Sequence, residues 1–480
     1  MSMKLSSGRE IPIEMHKARM VQRIWLPSLE DRLKAIEEAG YNTFQLKTKD
    51  IFLDMLTDSG TNAMSDNQFA AFMKVDDAYA GSMTFYEFAK AVEDVLGYKH
   101  VMNVHQGRAA EHLLPKVFAK PGDIIPTNYH FTTTKAHIEL LGCSIAEIYK
   151  DEALNTASTC QFKGEMDPEK LTALINKHGR EKIAYVRMEA TTNLLGGQPF
   201  SMKNFREIRQ ICNEHRLLLV LDGSLICDNA YLIKQREKAY ENKTVAEIVK
   251  EMCSIPDIFY MSGRKNTSVR GGCIATNNEE LFTKIKPWLP VYEGFFTYGG
   301  MSMREIGMMA VGMREMVEPE VAGCSVEQVK YFINRLLETT IPVVTPPGGL
   351  ACHLAARRFL PHIPQNQYPA GALTAALYIA SGIRSMERGT VSMDREKDGR
   401  EVMADLELCR IALPRRVYSI SHIEYAIDRI NWLYKHRNLI RGLKFASEPP
   451  VLRFFLGKLE AIDNWGTDLA NVFKKEIGEK

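Results

Sequence analysis

Ile258-Phe-Tyr-Met-Ser-Gly-Arg-Lys-Asn266 is a short apolar run that ends in small and polar residues and then a lysine. It reads as a buried strand that delivers Lys265 to a strand-end loop, where open α/β sheets bind ligands. Upstream, Leu217-Leu-Leu-Val-Leu-Asp222 reads as a second buried strand, and it ends on a carboxylate. An amine and a carboxylate on neighbouring strand ends meet the needs of pyridoxal phosphate. The amine forms a Schiff base, and the anion keeps the pyridine nitrogen protonated. Alone, the pair is a weak signal, because strands often end in Asp and most lysines are solvated.

The flanking segments extend the pattern. Val101-Met-Asn-Val-His-Gln-Gly-Arg108 reads as a strand turning at Gly107 into a helix, whose N-terminal N–H groups with Gln106 and Arg108 form a phosphate cradle. In Asn128-Tyr-His-Phe-Thr-Thr-Thr134, Phe131 offers a ring that could stack on a planar cofactor. Ile183-Ala-Tyr-Val-Arg-Met188 is another buried strand, and Asn193 follows at its end before a double-glycine turn. An amphipathic helix over Phe205 to Glu214 leads into the Asp222 strand. Alternating strands and helices from about 100 to 275 predict a mostly parallel sheet with crossover helices.

Further out, helices are expected over Ser28 to Ala39, ended by Gly40, and over Phe85 to Leu96, ended by Gly97. Leu56-Thr-Asp-Ser-Gly-Thr-Asn-Ala63 is a hydroxyl-rich loop that could line a site, and Tyr79 sits among small residues where a phenol has room to reach out. A helix-rich stretch from Ser302 to about Thr340 connects to a second domain, opened by the break Pro346-Pro-Gly-Gly349. In Leu408-Cys-Arg-Ile-Ala-Leu-Pro-Arg415, Arg410 lies in an apolar run. A guanidinium there needs an anion, and its fork suits a substrate carboxylate. The division that follows is residues 1–56 as an arm and part of the small domain, 57–311 as the large domain, and 312–480 as the small C-terminal domain.

Composition is ordinary for a soluble globular protein. The 480 residues are 45% hydrophobic and 25% charged, with 61 basic against 59 acidic residues and a formal charge of +2, so nothing points to nucleic acid or a membrane surface. The nine cysteines show no C-x-x-C pair and no metal-ligand spacing, as expected of reduced thiols in a cytoplasmic protein. Neither a signal-peptide core nor an apolar run of about eighteen residues is present.

Ordered motifs then give a specific resemblance. Thr57-Asp-Ser-Gly-Thr-Asn, Asp77-Ala-Tyr-Ala-Gly, His105-Gln-Gly-Arg, Phe131-Thr-Thr-Thr, Gly196-Gly-Gln-Pro, Asn229-Ala-Tyr-Leu-Ile-Lys-Gln-Arg-Glu, Glu293-Gly-Phe-Phe-Thr-Tyr-Gly-Gly, Ser385-Met-Glu-Arg-Gly and Leu452-Arg-Phe-Phe occur in this order. From about residue 45 to 460 the chain resembles the β-eliminating lyases, among them enzymes that cleave tyrosine and tryptophan.

That resemblance implies fold type I of the pyridoxal phosphate enzymes, like aspartate aminotransferase: a large domain with a mostly parallel sheet and a smaller α+β domain. It also implies a homotetramer of catalytic dimers, and a monovalent cation such as K+ near Gly60 and Asp77, where Asp77 replaces a longer Glu. Lys265 would carry the Schiff base, Asp222 would face the pyridine nitrogen, Phe131 would stack on the ring, and Gln106, Gly107, Arg108 and Ser262 would hold the phosphate. Asn193 would lie by the phenolic oxygen and Arg410 would bind the amino acid's carboxylate. Tyr79, reaching in from the partner subunit, would protonate the leaving group. Thr57, Ser59, Arg388, Phe454, Phe455 and Leu350 would surround the substrate.

Some positions depart from the family. Leu225 stands where an arginine is directed at the phenolic oxygen, and without that cation the Schiff base should be harder to deprotonate. Arg264 and Asn266 replace the lysine and aspartate that flank the Schiff-base lysine. Leu350 replaces a histidine, and Ala355 an aspartate. The expectation is a lyase that breaks the Cβ–substituent bond of an L-amino acid, with retained cofactor and carboxylate handling but an altered substituent pocket. The alternatives are β-substitution, aminotransfer, or a cofactor-binding or assembly role without catalysis.

Overall fold

The computed structural model describes residues 2–478. Ile258–Ser262 is a strand whose five residues are all buried. Its side chains alternate between two cores: Ile258 and Tyr260 join Val220, Ile274 and Leu113, while Phe259 and Met261 join Leu219, Leu221 and Met188. A strand covered on both faces needs no polar alternation, which is why this run is continuously apolar.

The strand lies inside a seven-stranded sheet ordered His100–Val104, Gly272–Thr276, Ile258–Ser262, Leu219–Asp222, Val186–Glu189, Ile124–Thr127, Ser144–Glu147. All pairs are parallel except those of Gly272–Thr276, which runs antiparallel to both neighbours. Register places Glu189 opposite Asp222 and Asp222 opposite Tyr260, so three strands end side by side.

Helices cover both faces. Met83–Leu96 stops at Gly97, whose φ of 84° an L side chain would resist. Met202–Glu214 begins ahead of the expected Phe205 because the Ser201 hydroxyl accepts from Asn204 N and caps it.

A second core gathers Leu29 to Met55 with residues from Val329 to Phe473. It is centred on Pro369–Ser381, a helix buried along all thirteen residues. Ala351–Ala355, Leu408–Ala412 and Met386–Arg388 form an antiparallel sheet beside it. Helix Pro319–Leu337 passes from one core to the other, and the buried pair Arg415–Asp228 ties them together. Among the described residues no helix is long and apolar enough to cross a membrane.

Candidate active site

The ends of the central strands open into a cavity of about 340 Å³ between the two cores. Asp222 and Lys265 both line it. Lys265 sits in the helical turn Gly263–Asn266 that follows the strand, with Nζ 5.4 Å from the centre of the Phe131 ring. The Asn266 amide pins this turn by donating to Ser224 O (2.6 Å) and Gly223 O (3.3 Å). An aspartate at 266 has no N–H to offer those carbonyls, so the departure at this position has a structural job.

Asp222 is held as an anion. Its Oδ2 accepts from Arg187 Nη2 (2.6 Å) and Tyr260 OH (2.9 Å), and its Oδ1 from Ser224 N (3.0 Å). Burial alone would raise the carboxyl, but the charges of Arg187 and Lys265 and the Ser224 hydrogen bonds outweigh it and hold Asp222 below the usual range.

One end of the cavity is an anion cradle. Helix Gly107–Phe118 starts there, and a Cβ on Gly107 would fall 2.9 Å from Ser262 Cβ, so only glycine lets the helix end approach the strand end. Gln106, Gly107, Arg108 and Ser262 all line this end. Arg264 joins them, its Nη1 3.4 Å from Gln106 Oε1 and its Nε buried without a partner. Burial and the neighbouring Arg270 and Arg108 push Arg264 down, which marks a crowd of cations awaiting an anion.

The opposite wall carries two more arginines. Arg410 Nη1 donates to Asn193 Oδ1 and Nη2 to Leu56 O, both at 2.8 Å, while Nε is buried and unpartnered. Burial lowers its pKa to about 10. Arg388 lies 5.6 Å from the Phe131 ring centre and 5.4 Å from that of Phe454, with Nη1 3.3 Å from Thr132 Oγ1 and a buried, unpartnered Nε. Burial, and then Arg410, push Arg388 down. Thr57, Ser59 and Phe455 complete the wall.

Four expected residues lie elsewhere. Leu350 does not line the cavity. Its backbone has φ 70°, and its side chain is buried in a small apolar cluster with Leu225, Ala351 and Ala412, so only Leu225 of the two departures faces the site. Tyr79 is 73% exposed and packs on Phe295 and Tyr298. A hydrogen bond with Tyr298 raises the Tyr79 phenol. Asp77 pairs with Arg304 at 2.8 Å, and Gly60 packs under the Arg264 guanidinium.

The motifs missed Arg187, Glu189, Tyr260 and Glu111. Glu189 and Glu111 line the cavity, and Arg187 and Tyr260 stand behind Asp222. Arg187 carried the same signal as Arg410, a lone arginine in an apolar strand. Burial and the nearby Asp222 charge raise Glu111, whose carboxyl accepts from Thr133 Oγ1.

A lysine over an aromatic ring, a buried anion and an anion cradle in one cavity fit pyridoxal phosphate. The family model for β-eliminating lyases matches residues 54–429. The chain belongs to the β-eliminating lyase family. Within that family it is similar to the tyrosine phenol-lyase of Symbiobacterium thermophilum, 46% identical over 451 residues that span 94% of this chain and 98% of that enzyme. The tyrosine phenol-lyase of Clostridium tetani is 44% identical, over 94% of this chain and 99% of its own.

Solved structures place the fold of this β-eliminating lyase family member. A serine palmitoyltransferase from S. paucimobilis, solved with a PLP–myriocin adduct, superposes with TM-score 0.58 at 10% identity, over 81% of this chain and 89% of that one. The Sphingomonas wittichii serine palmitoyltransferase gives 0.55 at 13% identity, over 81% and 88%. The architecture is fold type I, and the family is pyridoxal phosphate-dependent.

Proposed function

We propose that the protein cleaves the Cβ–substituent bond of an L-amino acid with an aromatic or other bulky substituent, releasing pyruvate and ammonia as tyrosine phenol-lyases do. The convergence of Lys265, Asp222 and Arg410, whose Nε is buried without a partner, on one cavity carries this reading. Lys265 is the attachment point and Asp222 the partner of the ring nitrogen. Phe131 would stack on the ring, Asn193 would lie by its phenolic oxygen, and Gln106, Gly107, Arg108, Ser262 and Arg264 would hold the phosphate. Bound there, pyridoxal phosphate supplies an electron sink for the substrate's α-carbon.

The side chains supply the rest. Arg410 orients the amino acid by its carboxylate, using the N–H groups not given to Asn193 and Leu56. Lys265 takes the α-proton. Thr57, Ser59, Arg388, Phe454 and Phe455 enclose the substituent. Tyr79 of a second subunit protonates the leaving group, which its exposure beside the exposed Phe295 favours. The same reading carries a homotetramer of catalytic dimers, a monovalent cation near Gly60 and Asp77, and a cytoplasmic location.

The Leu225–Leu350 cluster favours a second reading, because it removes polar groups that would activate a phenol. In that case the same machinery performs β-substitution or aminotransfer. Incubating cofactor-loaded protein with L-tyrosine and a panel of L-amino acids separates them. Elimination gives pyruvate and ammonia, substitution a new amino acid, and aminotransfer a keto acid with pyridoxamine phosphate. Elimination is overturned if no amino acid yields pyruvate.

A further inference from the structure

Glu189 is a cavity-wall residue that no motif claims. It and Arg187 are two apart on one strand and so project from the same face. Asp222 and Tyr260 occupy the registered positions of the next two strands, Glu189 against Asp222 and Asp222 against Tyr260. Four polar side chains therefore share one sheet face beneath the cavity. The two carboxylates line the cavity, and Arg187, fully buried, lies behind them with Nη2 2.6 Å from Asp222 Oδ2 and 3.1 Å from Glu189 Oε2. Glu189 Oε1 is aimed by Asn193 N at 3.1 Å.

Such an arrangement changes what Asp222 can do. A carboxylate that already answers a full positive charge at 2.6 Å has less left for a second cation. Counting charge, Arg187 offsets one of the two carboxylates and leaves one negative charge facing the cavity. Glu111 is engaged elsewhere, its carboxyl accepting from Thr133 Oγ1. With the cofactor bound, Lys265's charge would be met by the cofactor's own phenolate. The remaining charge is the one a protonated pyridine ring would neutralise. Burial drives the Glu189 carboxyl up, against the pull of the Arg187 charge.

We propose that Glu189 is a second cofactor carboxylate: it answers Arg187 so that Asp222 remains free to keep the ring nitrogen of pyridoxal phosphate protonated. This rests on the reading that Lys265 and Asp222 bind that cofactor, and the test separates the two. Dissociation constants are measured for pyridoxal phosphate and for its 1-deaza analogue, in which C–H replaces the ring nitrogen, on the wild type and Glu189→Gln. Removing the carboxylate should weaken pyridoxal phosphate by about tenfold or more and leave the analogue unchanged or tighter. Arg187→Met in addition should return pyridoxal phosphate affinity to within about threefold of wild type, since the charges again balance.

Equal losses for both cofactors would make Glu189 a structural residue and overturn the proposal, as would no loss for pyridoxal phosphate. Should the double variant fail to fold, the two cofactors on Glu189→Gln decide alone. A wild type that takes up no pyridoxal phosphate on Lys265 sinks the underlying reading. A wild type that does, with a Glu189→Gln variant indifferent to the ring nitrogen, sinks only this one.

Discussion

Arg410 Nη1 donates to Asn193 Oδ1 at 2.8 Å, which joins the antiparallel sheet of one core to a strand-end turn of the other directly across the cavity. The guanidinium is thereby fixed before any substrate arrives, with its Nε still unpartnered. Arg410→Lys keeps the charge but loses the fork. It should raise KM for the amino acid by about 30-fold or more, a loss of about 2 kcal/mol or more. Pyridoxal phosphate affinity should stay unchanged. Steady-state kinetics and cofactor titration check both halves.

Leu225 and Leu350, far apart in sequence, share one dry cluster with Ala351 and Ala412. A guanidinium at 225 alone would have to displace the apolar packing against Leu350, Ala351 and Ala412. Leu225→Arg should cost about 3 kcal/mol of stability, whereas Leu225→Met should cost under about 1.5 kcal/mol. Denaturant unfolding of the two variants side by side measures the difference.

Asn266 holds the lysine turn through two carbonyls of the Asp222 loop. Asn266→Asp replaces a donor by an acceptor facing acceptors. The expected loss is about 2 kcal/mol. Borohydride trapping of cofactor on Lys265 should fall in parallel with it, and trapping at the wild-type level would show that the turn does not depend on the amide.

Glu387 and Glu407 meet behind Arg388, across Gly389, where an added Cβ would fall 2.3 Å from Glu407 Oε2 and 2.9 Å from Glu387 Oε1. Burial, and then the Glu407 charge, push the Glu387 carboxyl up to about 8 from an ordinary 4.5. A raised acid binds its proton more tightly when folded, so its stabilisation is complete below about 4.5 and is lost as pH rises through about 8. The wild type should therefore melt lower at pH 9 than at pH 6, and Glu387→Gln should flatten that fall. Thermal melts across this range give the answer, and parallel slopes would assign the fall to other groups.

Much of the fold is legible because apolar runs such as Ile258 to Met261 and helix stops such as Gly97 are local signals. Glu189, Arg187 and Tyr260 are not legible in the same way. Each is an ordinary polar residue in an apolar segment, and nothing local says that three strands place them on one face. Leu350 shows the same limit: the family resemblance put it near the substrate, but with its backbone at φ 70° it packs with Leu225.

The sequence by itself determined the strand–lysine and strand–aspartate pair, the anion cradle and the family, since these depend on periodicity and short-range order along the chain. Only the tertiary structure decided which charges meet: that Arg187 takes one side of Asp222, that Glu189 stands beside it, and that Arg410 and Arg388 both line the cavity. Register between strands distant in sequence sets those distances, and inside a buried site a few ångströms decide which ionic state each group can hold.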